Sequence, residues 1–393
     1  MYGQSIREDF IYLILYGAAT ATSLLACFYL LFRRTNTIAP KVTPPIRLRR
    51  WTAAFMAACV LSHFWYLPLL YIRSAENLMT AYFIGALLDF LTVFPLAIAI
   101  QFVMLQDRRR PLWPITVMMA PLIILTVVSI ATCSDALLPL AYAYFLLLGI
   151  GLFLYLAHAV RQYGRWLRDN YADLEHKEVW QSMVVMAVIL AGFSLYMFEL
   201  EGAFYRHAVQ TSVILVSLFL VWRVETLSDL NGQKTPAAET LSQPDAEDTP
   251  LSCHEAPLPD ADETSADSLR ASQPQNLTTL LQKRCIDTQL YLQHDLTIQQ
   301  LAKDIGTNRY YLSQYFSQQG VTYNDYINGL RIDHFVAHYR ETVTSRHPFT
   351  VKQLAQESGY RNYTTFSNAF KRRMGTNVTA WMQEPEAGEL PSM

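Results

Sequence analysis

Residues 296–320 read LTIQQLAKDIGTNRYYLSQYFSQQG, and residues 349–375 read FTVKQLAQESGYRNYTTFSNAFKRRMG. The second stretch repeats the first. Leu301-Ala302 and Gly306, followed by Leu312 and Phe316, recur 53 residues later as Leu354-Ala355 and Gly359, followed after one extra turn residue by Phe366 and Phe370. Each copy opens with a helix-start signal, Thr297 before Ile298 and Thr350 before Val351. The small Ala lets two helices cross closely, and the Gly ends the first helix where positive φ is needed. Apolar residues four apart then give the second helix one buried stripe. Two short helices joined by a tight Gly-containing turn predict a helix-turn-helix, whose second helix can enter a major groove. Tyr323, Tyr326, Ile327 and Leu330 share a face, so residues 323–340 are expected to form a long connecting helix. Leu277, Leu280, Leu281, Cys285 and Ile286 mark an amphipathic helix ahead of the first copy.

With these residues, and with Leu296-Thr297, Tyr315-Phe316, Tyr326-Ile327-Asn328, Leu330-Arg331-Ile332, Gly359-Tyr360, Ala369-Phe370-Lys371 and Gly375, residues 276–385 resemble the DNA-binding domain of AraC-type transcription regulators. The resemblance implies a monomeric two-headed reader that puts two recognition helices into successive major-groove segments and acts at promoters. It implies groove-facing residues Arg309, Tyr310, Ser313 and Gln314 in the first recognition helix, and Arg361, Tyr363, Thr364, Ser367 and Asn368 in the second. The chemistry permits this: Gln and Asn bond adenine edges in two places, Arg favours guanine, and Ser or Thr contacts bases or phosphate. Lys371, Arg372 and Arg373 are expected on phosphates, fixing position without reading sequence. The alternative for each of these residues is a plain exposed helix surface. The chain departs from the family, which often has Arg where Gln314 and Asn368 stand, Ala where Phe335 stands, and a Gly-x-Thr-Pro ending where Gly375-Thr376-Asn377-Val378 stands. The first two departures lower the charge and alter base choice. Residues 276–384 carry 12 Lys+Arg against 8 Asp+Glu, a modest basic excess.

Upstream the material changes. Of the 393 residues 52% are hydrophobic and only 16% charged, against roughly 25% charged in an ordinary soluble domain. Residues 1–222 hold 28 of the charges and residues 223–393 hold 36. Seven apolar runs, 10–32, 51–72, 78–105, 112–132, 136–160, 179–198 and 203–222, approach the ~20 residues that cross a ~30 Å hydrocarbon core. They predict a seven-span membrane domain over residues 1–224. A cleavable signal peptide is the alternative for the first run, since Ala19-Thr20-Ala21 fits a cleavage pattern, but the run continues apolar past it. The segments after runs one, three and five hold 13 Lys and Arg, against Arg7, Arg73 and Arg206 on the other side. The positive-inside rule then puts the N-terminus outside and the C-terminal domain in the cytoplasm. The expected location is the inner membrane of a bacterium, crossed in multiple passes.

His63 and Asp89 fall inside runs two and three at similar depth, where burying polar groups in lipid is costly. They are either a membrane sensing site for a ligand, ion or proton, or an interhelical pair that fixes helix orientation. Pro68 and Pro95 are expected to kink the same two helices. Glu199, Glu201 and His207 form either a solvated rim or a ligand-contacting mouth. Residues 225–275 lose all apolar periodicity, with eleven acidic and two basic residues between Glu225 and Ser272. They predict a disordered acidic linker, with an end-to-end reach on the order of 40 Å. Residues 386–393 form a tail.

The five cysteines contain no C-x-x-C pair and imply neither a disulfide framework nor a zinc site. His334 and His338, beside Asp333, have metal-pair spacing but read as a solvated face of the connecting helix. No H-E-x-x-H, P-loop or G-x-S-x-G pattern occurs, so no enzyme, metal or cofactor is expected. The fold expected is all-α: a seven-helix transmembrane bundle, a disordered linker, and a C-terminal all-helical domain with two helix-turn-helix units. The function expected is a membrane-tethered, sequence-specific transcription regulator, a one-component sensor-regulator. Its expected partners are double-stranded promoter DNA, RNA polymerase, the lipid bilayer, a small-molecule or membrane signal, and a second copy of the chain as a homodimer. The competing classes are an intramembrane enzyme or transporter with a DNA-binding appendage, and a DNA-membrane anchor without a switch.

Overall fold

A computed structural model describes residues 2–33, 35–40, 42–72, 74–181, 183–185, 203–230, 277–345 and 348–383. Most of run six, Glu199, Glu201, residues 231–275 of the linker and the 386–393 tail lie outside the described residues. The chain forms two compact units, residues 1–164 with 176–234, and residues 165–175 with 235–393. Among the described residues every extended element is helical.

The first unit is built from α1 (Tyr2–Phe32), α2 (Ile46–Tyr66), α3 (Ala75–Leu91), α4 (Val93–Met104), α5 (Trp113–Thr132), most of α6 (Leu138–Asn170) and α7 (Ala203–Thr226). Among the described residues, five stretches are long and apolar enough to cross a membrane: Phe10–Phe32, Asn77–Met104, Trp113–Thr132, Leu138–Asn170 and His207–Thr226. They overlap runs one, three, four, five and seven. Run two departs from expectation. Helix α2 starts at Ile46, so Arg47, Arg49 and Arg50 occupy its first turns, and a 3-10 turn at Leu67–Leu70, with Pro68, replaces its end. The apolar helix left, Trp51–Tyr66, is roughly 24 Å long at ~1.5 Å per residue. The 3-10 turn Leu67–Leu70 adds roughly 8 Å at ~2.0 Å per residue, which brings the stretch to the ~30 Å of a hydrocarbon core. Run three breaks at Thr92 between α3 and α4, because Pro95 in the first turn of α4 has no N–H with which to continue the ladder.

Helix α1 packs on α2 and α7 through small side chains. Ala19, Ser23, Ala26 and Cys27 are buried, and Ser23 Oγ meets Ser217 Oγ at 3.3 Å. Such crossings serve helices that have no hydrophobic drive to associate in lipid. Leu25, Phe32, Leu147 and Leu154 face outward at 62–74% exposure, an apolar exterior that water would penalise. The expected linker boundary at 225 moves later. Glu225 is still in α7, and its carboxylate accepts the N–H groups of Thr37 and Ile38 at 3.1 and 2.7 Å. Leu230 N–H donates to Gln106 Oε1 at 2.9 Å.

The second unit begins with a helical segment at 277–286 that closes in a π turn, Gln282–Ile286. It continues through α8 (Ile298–Ile305), α9 (Arg309–Gln318), α10 (Tyr323–Thr344), α11 (Val351–Glu357), α12 (Tyr363–Met374) and α13 (Val378–Gln383). Two cores flank α10. Leu301, Ala302, Leu312 and Phe316 pack with its Ile327, and Leu354, Ala355, Phe366 and Phe370 pack with its Ile332, Phe335 and Val336. Phe335 fills the second core, its ring 4.5 Å from that of Phe366 and 5.8 Å from that of Phe370.

Residues 165–175 belong to this second unit and not to the membrane domain of residues 1–224 in which the sequence placed them. The reason is polar. Arg331 on α10 is fully buried, and its Nη1 meets Asp173 Oδ1 at 2.9 Å. A buried cation left without its anion costs several kcal/mol.

Candidate nucleic-acid interface

Helix α8 is fixed at its start by a capping box. Gln300 N–H donates to Thr297 Oγ1 at 3.2 Å, and Thr297 N–H donates to Gln300 Oε1 at 2.9 Å. Gly306, at φ 77°, ends it in the left-handed region that a side chain disfavours. Asn308 then caps α9, its Oδ1 accepting Tyr310 N–H at 3.0 Å. Leu312 and Phe316 hold the inner face of α9, which leaves Arg309, Tyr310, Ser313 and Gln314 exposed together on the other. A shallow hollow lined by Lys303, Thr307, Asn308 and Arg309 adjoins this face. Lys303 is a basic group that motif reading passed over, although its place one turn before Gly306 was readable.

The second pair is built alike with a longer turn. Thr350 caps α11 through Gln353 N–H at 3.2 Å, and Gly359 carries the turn at φ 88°. A Cβ there would lie 2.8 Å from Leu292 O. Phe366, Ala369 and Phe370 are the buried stripe of α12. Tyr363, Thr364, Asn368, Lys371 and Arg372 are exposed on another face, with Ser367 half-buried beside them. The sequence-predicted residues therefore gather as two surface patches, one per pair. Several are engaged within the protein. Arg361 pairs with Asp295 at 3.0 Å, and Arg372 reaches Asn324 Oδ1 at 2.9 Å and Asp325 at 3.3 Å. Arg373 departs most from a phosphate role, because both carboxylate oxygens of Asp333 hold it at 3.2 Å.

The turn into α12 holds a contact that motif reading missed. Asn362, the N-cap residue, makes no side-chain cap bond. Its Nδ2 donates instead to Glu175 Oε2, which also accepts Thr365 Oγ1 at 3.2 Å. The available signal was the four acidic residues Asp169, Asp173, Glu175 and Glu178 among the four basic ones of the loop at residues 161–178.

His334 and His338, expected on a solvated face, are half-buried. His338 Nε2 lies 2.8 Å from Glu357 Oε2 and His334 Nδ1 lies 3.3 Å from Ser358 Oγ, so both tie α10 to α11. Burial, and next the neighbouring His338, lower the pKa of His334. Among the described residues no cluster of three or more His, Cys, Asp and Glu is placed to hold a metal ion.

Within the first unit, His63 and Asp89 line one cavity of about 530 Å³, together with Tyr12, Tyr16, Tyr66 and Gln210. They are not hydrogen-bonded to each other as their matched depth suggested. His63 Nδ1 lies 2.7 Å from Cys59 O and its Nε2 lies 2.9 Å from Gln210 Oε1, which uses both ring nitrogens. Asp89 is bonded by the side chains of Ser62 and Tyr66, and its Oδ1 is buried without a partner.

Two helix pairs packed on a shared central helix, each with an apolar inner stripe and a polar outer face, give residues 277–383 the build of a helix-turn-helix domain. The family model of a helix-turn-helix domain matches residues 281–384, which supports a DNA-binding transcription regulator of AraC type as the class of this C-terminal region. No curated protein and no solved structure matches the chain.

Proposed function

We propose that the chain is a membrane-tethered, sequence-specific regulator of transcription, in which α9 and α12 read promoter DNA and the helical bundle senses a signal. One observation carries the reading. The same chain joins a helix-turn-helix domain to five helices long and apolar enough to cross a membrane. Arg309, Tyr310, Ser313 and Gln314, with Arg361, Tyr363, Thr364, Ser367 and Asn368, are the base-reading set, while Lys371 and Arg372 anchor phosphates. The bundle crosses the inner membrane seven times with its N-terminus outside, supported by the 13 basic residues after runs one, three and five. The cavity at His63 and Asp89 is the sensing site, supported by the unpartnered Asp89 oxygen at an aromatic wall. RNA polymerase and a second copy of the chain are the protein partners. Residues 231–275 act as an acidic tether and the protein performs no catalysis.

Genome-wide occupancy of the native protein tests this. A small number of promoters sharing a two-part site is the expected result. Scattered, weakly specific occupancy indicates an anchor without a switch and overturns the reading.

A further inference from the structure

Residues 171–175 make four kinds of contact with the DNA-binding unit. Tyr171 forms an isolated antiparallel bridge with Thr297, and Ala172 N–H donates to Leu296 O at 3.1 Å. The carboxamides of Asn324 and Asn328 donate to Ala172 O at 2.6 and 3.1 Å. Asp173 divides its oxygens, Oδ1 on Arg331 and Oδ2 accepting Asp295 N–H at 2.8 Å. Glu175 finally presents its carboxylate to Asn362 and Thr365 at the start of α12. This set spans both helix pairs and the helix between them.

A helix N-terminus with free N–H groups and positive dipole is where a DNA phosphate docks on a recognition helix. Here the Glu175 carboxylate already lies at that end of α12, held by the Asn362 and Thr365 side chains. Asp295 and Asp325 likewise hold Arg361 and Arg372, two other DNA-directed groups of the second pair. We infer that residues 165–175 are a built-in competitor for DNA: Glu175 stands where a phosphate would bind at the N-terminus of α12, and DNA engagement of the second reading head requires this carboxylate to withdraw. Asp173 and Arg331 provide the anchorage, and Glu175 is the competing group. The inference rests on the proposed function, since it needs α12 to be a recognition helix.

The test uses the full-length protein in lipid nanodiscs, with a duplex selected by the protein from a random library. Glu175→Gln and Glu175→Ala are expected to tighten binding at least fivefold, while Glu178→Gln, a neighbouring loss of charge, leaves it within twofold. A Glu175→Cys, Asn362→Cys double variant is expected to lose most binding on oxidation and regain it on reduction. Hydrogen exchange at residues 171–175 is expected to quicken when the duplex is added. Unchanged or weaker binding in both Glu175 variants, with the wild type binding the duplex, overturns the competitor and leaves the proposed function standing. Failure of the wild type and both released variants to select any duplex overturns the proposed function and the competitor with it.

Discussion

Base reading and phosphate anchoring leave different signatures at single residues. Asn368 is exposed on α12 opposite Phe366 and Phe370, and a carboxamide that bonds adenine in two places discriminates by about 1–3 kcal/mol. Asn368→Ala should therefore weaken binding to the preferred site by that amount and relax preference at one base pair. A competition assay that returns an unchanged site preference refutes the assignment. Arg372, already half-engaged with Asn324 and Asp325, should act through charge alone. Arg372→Ala should weaken every duplex alike and reduce the slope of log K against log salt by about one. Arg373 should leave that slope unchanged, because Asp333 holds it. Composition cannot separate these two arginines. Only the position of Asp333 on the facing helix does.

Among the elements, the glycines and caps of the two helix pairs were legible because each answers a local geometric demand. Gly359 and Gly320 both have positive φ, but a Cβ at Gly359 would collide with Leu292 backbone while one at Gly320 meets open space. Gly320→Ala should cost about 1 kcal/mol from backbone strain alone. Gly359→Ala should cost several times more and lower the midpoint of chemical unfolding accordingly. The acid response of the α10–α11 contact follows from two groups. Burial, then His338, lowers the pKa of His334, and the Gln353 hydrogen bond, with His338 beside it, lowers that of Glu357. Each binds fewer protons folded than unfolded, so the contribution to stability is present above the unfolded value and is lost as pH falls. For His334 the loss begins near pH 6.5, its ordinary value. Thermal unfolding of the full chain between pH 7.5 and 5.5 should show this decline, and His334→Gln should flatten it. Helix period alone made His334 and His338 a solvated face. Their true surroundings depend on α11, about 20 residues further along the chain, whose packing no local pattern reports.

On the scale of the whole molecule, the two materials were readable from hydropathy and the repeat, but the boundary between them was not. Hydropathy and composition end the membrane domain at residue 224 and start the DNA-binding domain at 276, whereas the fold also assigns residues 165–175 to the DNA-binding unit. That assignment depends on Asp173 meeting a buried arginine 158 residues away, a pairing no hydropathy window detects. It changes how a signal in the bundle can reach DNA. The acidic tether proposed for residues 231–275, taken as a flexible coil, would have an end-to-end distance on the order of 40 Å and would transmit rotation poorly. Helix α6, by contrast, carries the chain directly into the segment that ends on Glu175. A perturbation of the cavity, such as Asp89→Asn, should therefore alter promoter occupancy through α6. Insertion of four glycines between Gly164 and Arg165 should erase the effect of Asp89→Asn on occupancy, while lengthening the tether by twenty Gly and Ser residues near residue 250 should preserve it. Occupancy at a bound promoter, measured with and without Asp89→Asn in the parent, the glycine insertion and the longer tether, decides between the routes. If the longer tether abolishes the Asp89→Asn effect and the glycine insertion does not, the signal travels through α7 and the tether.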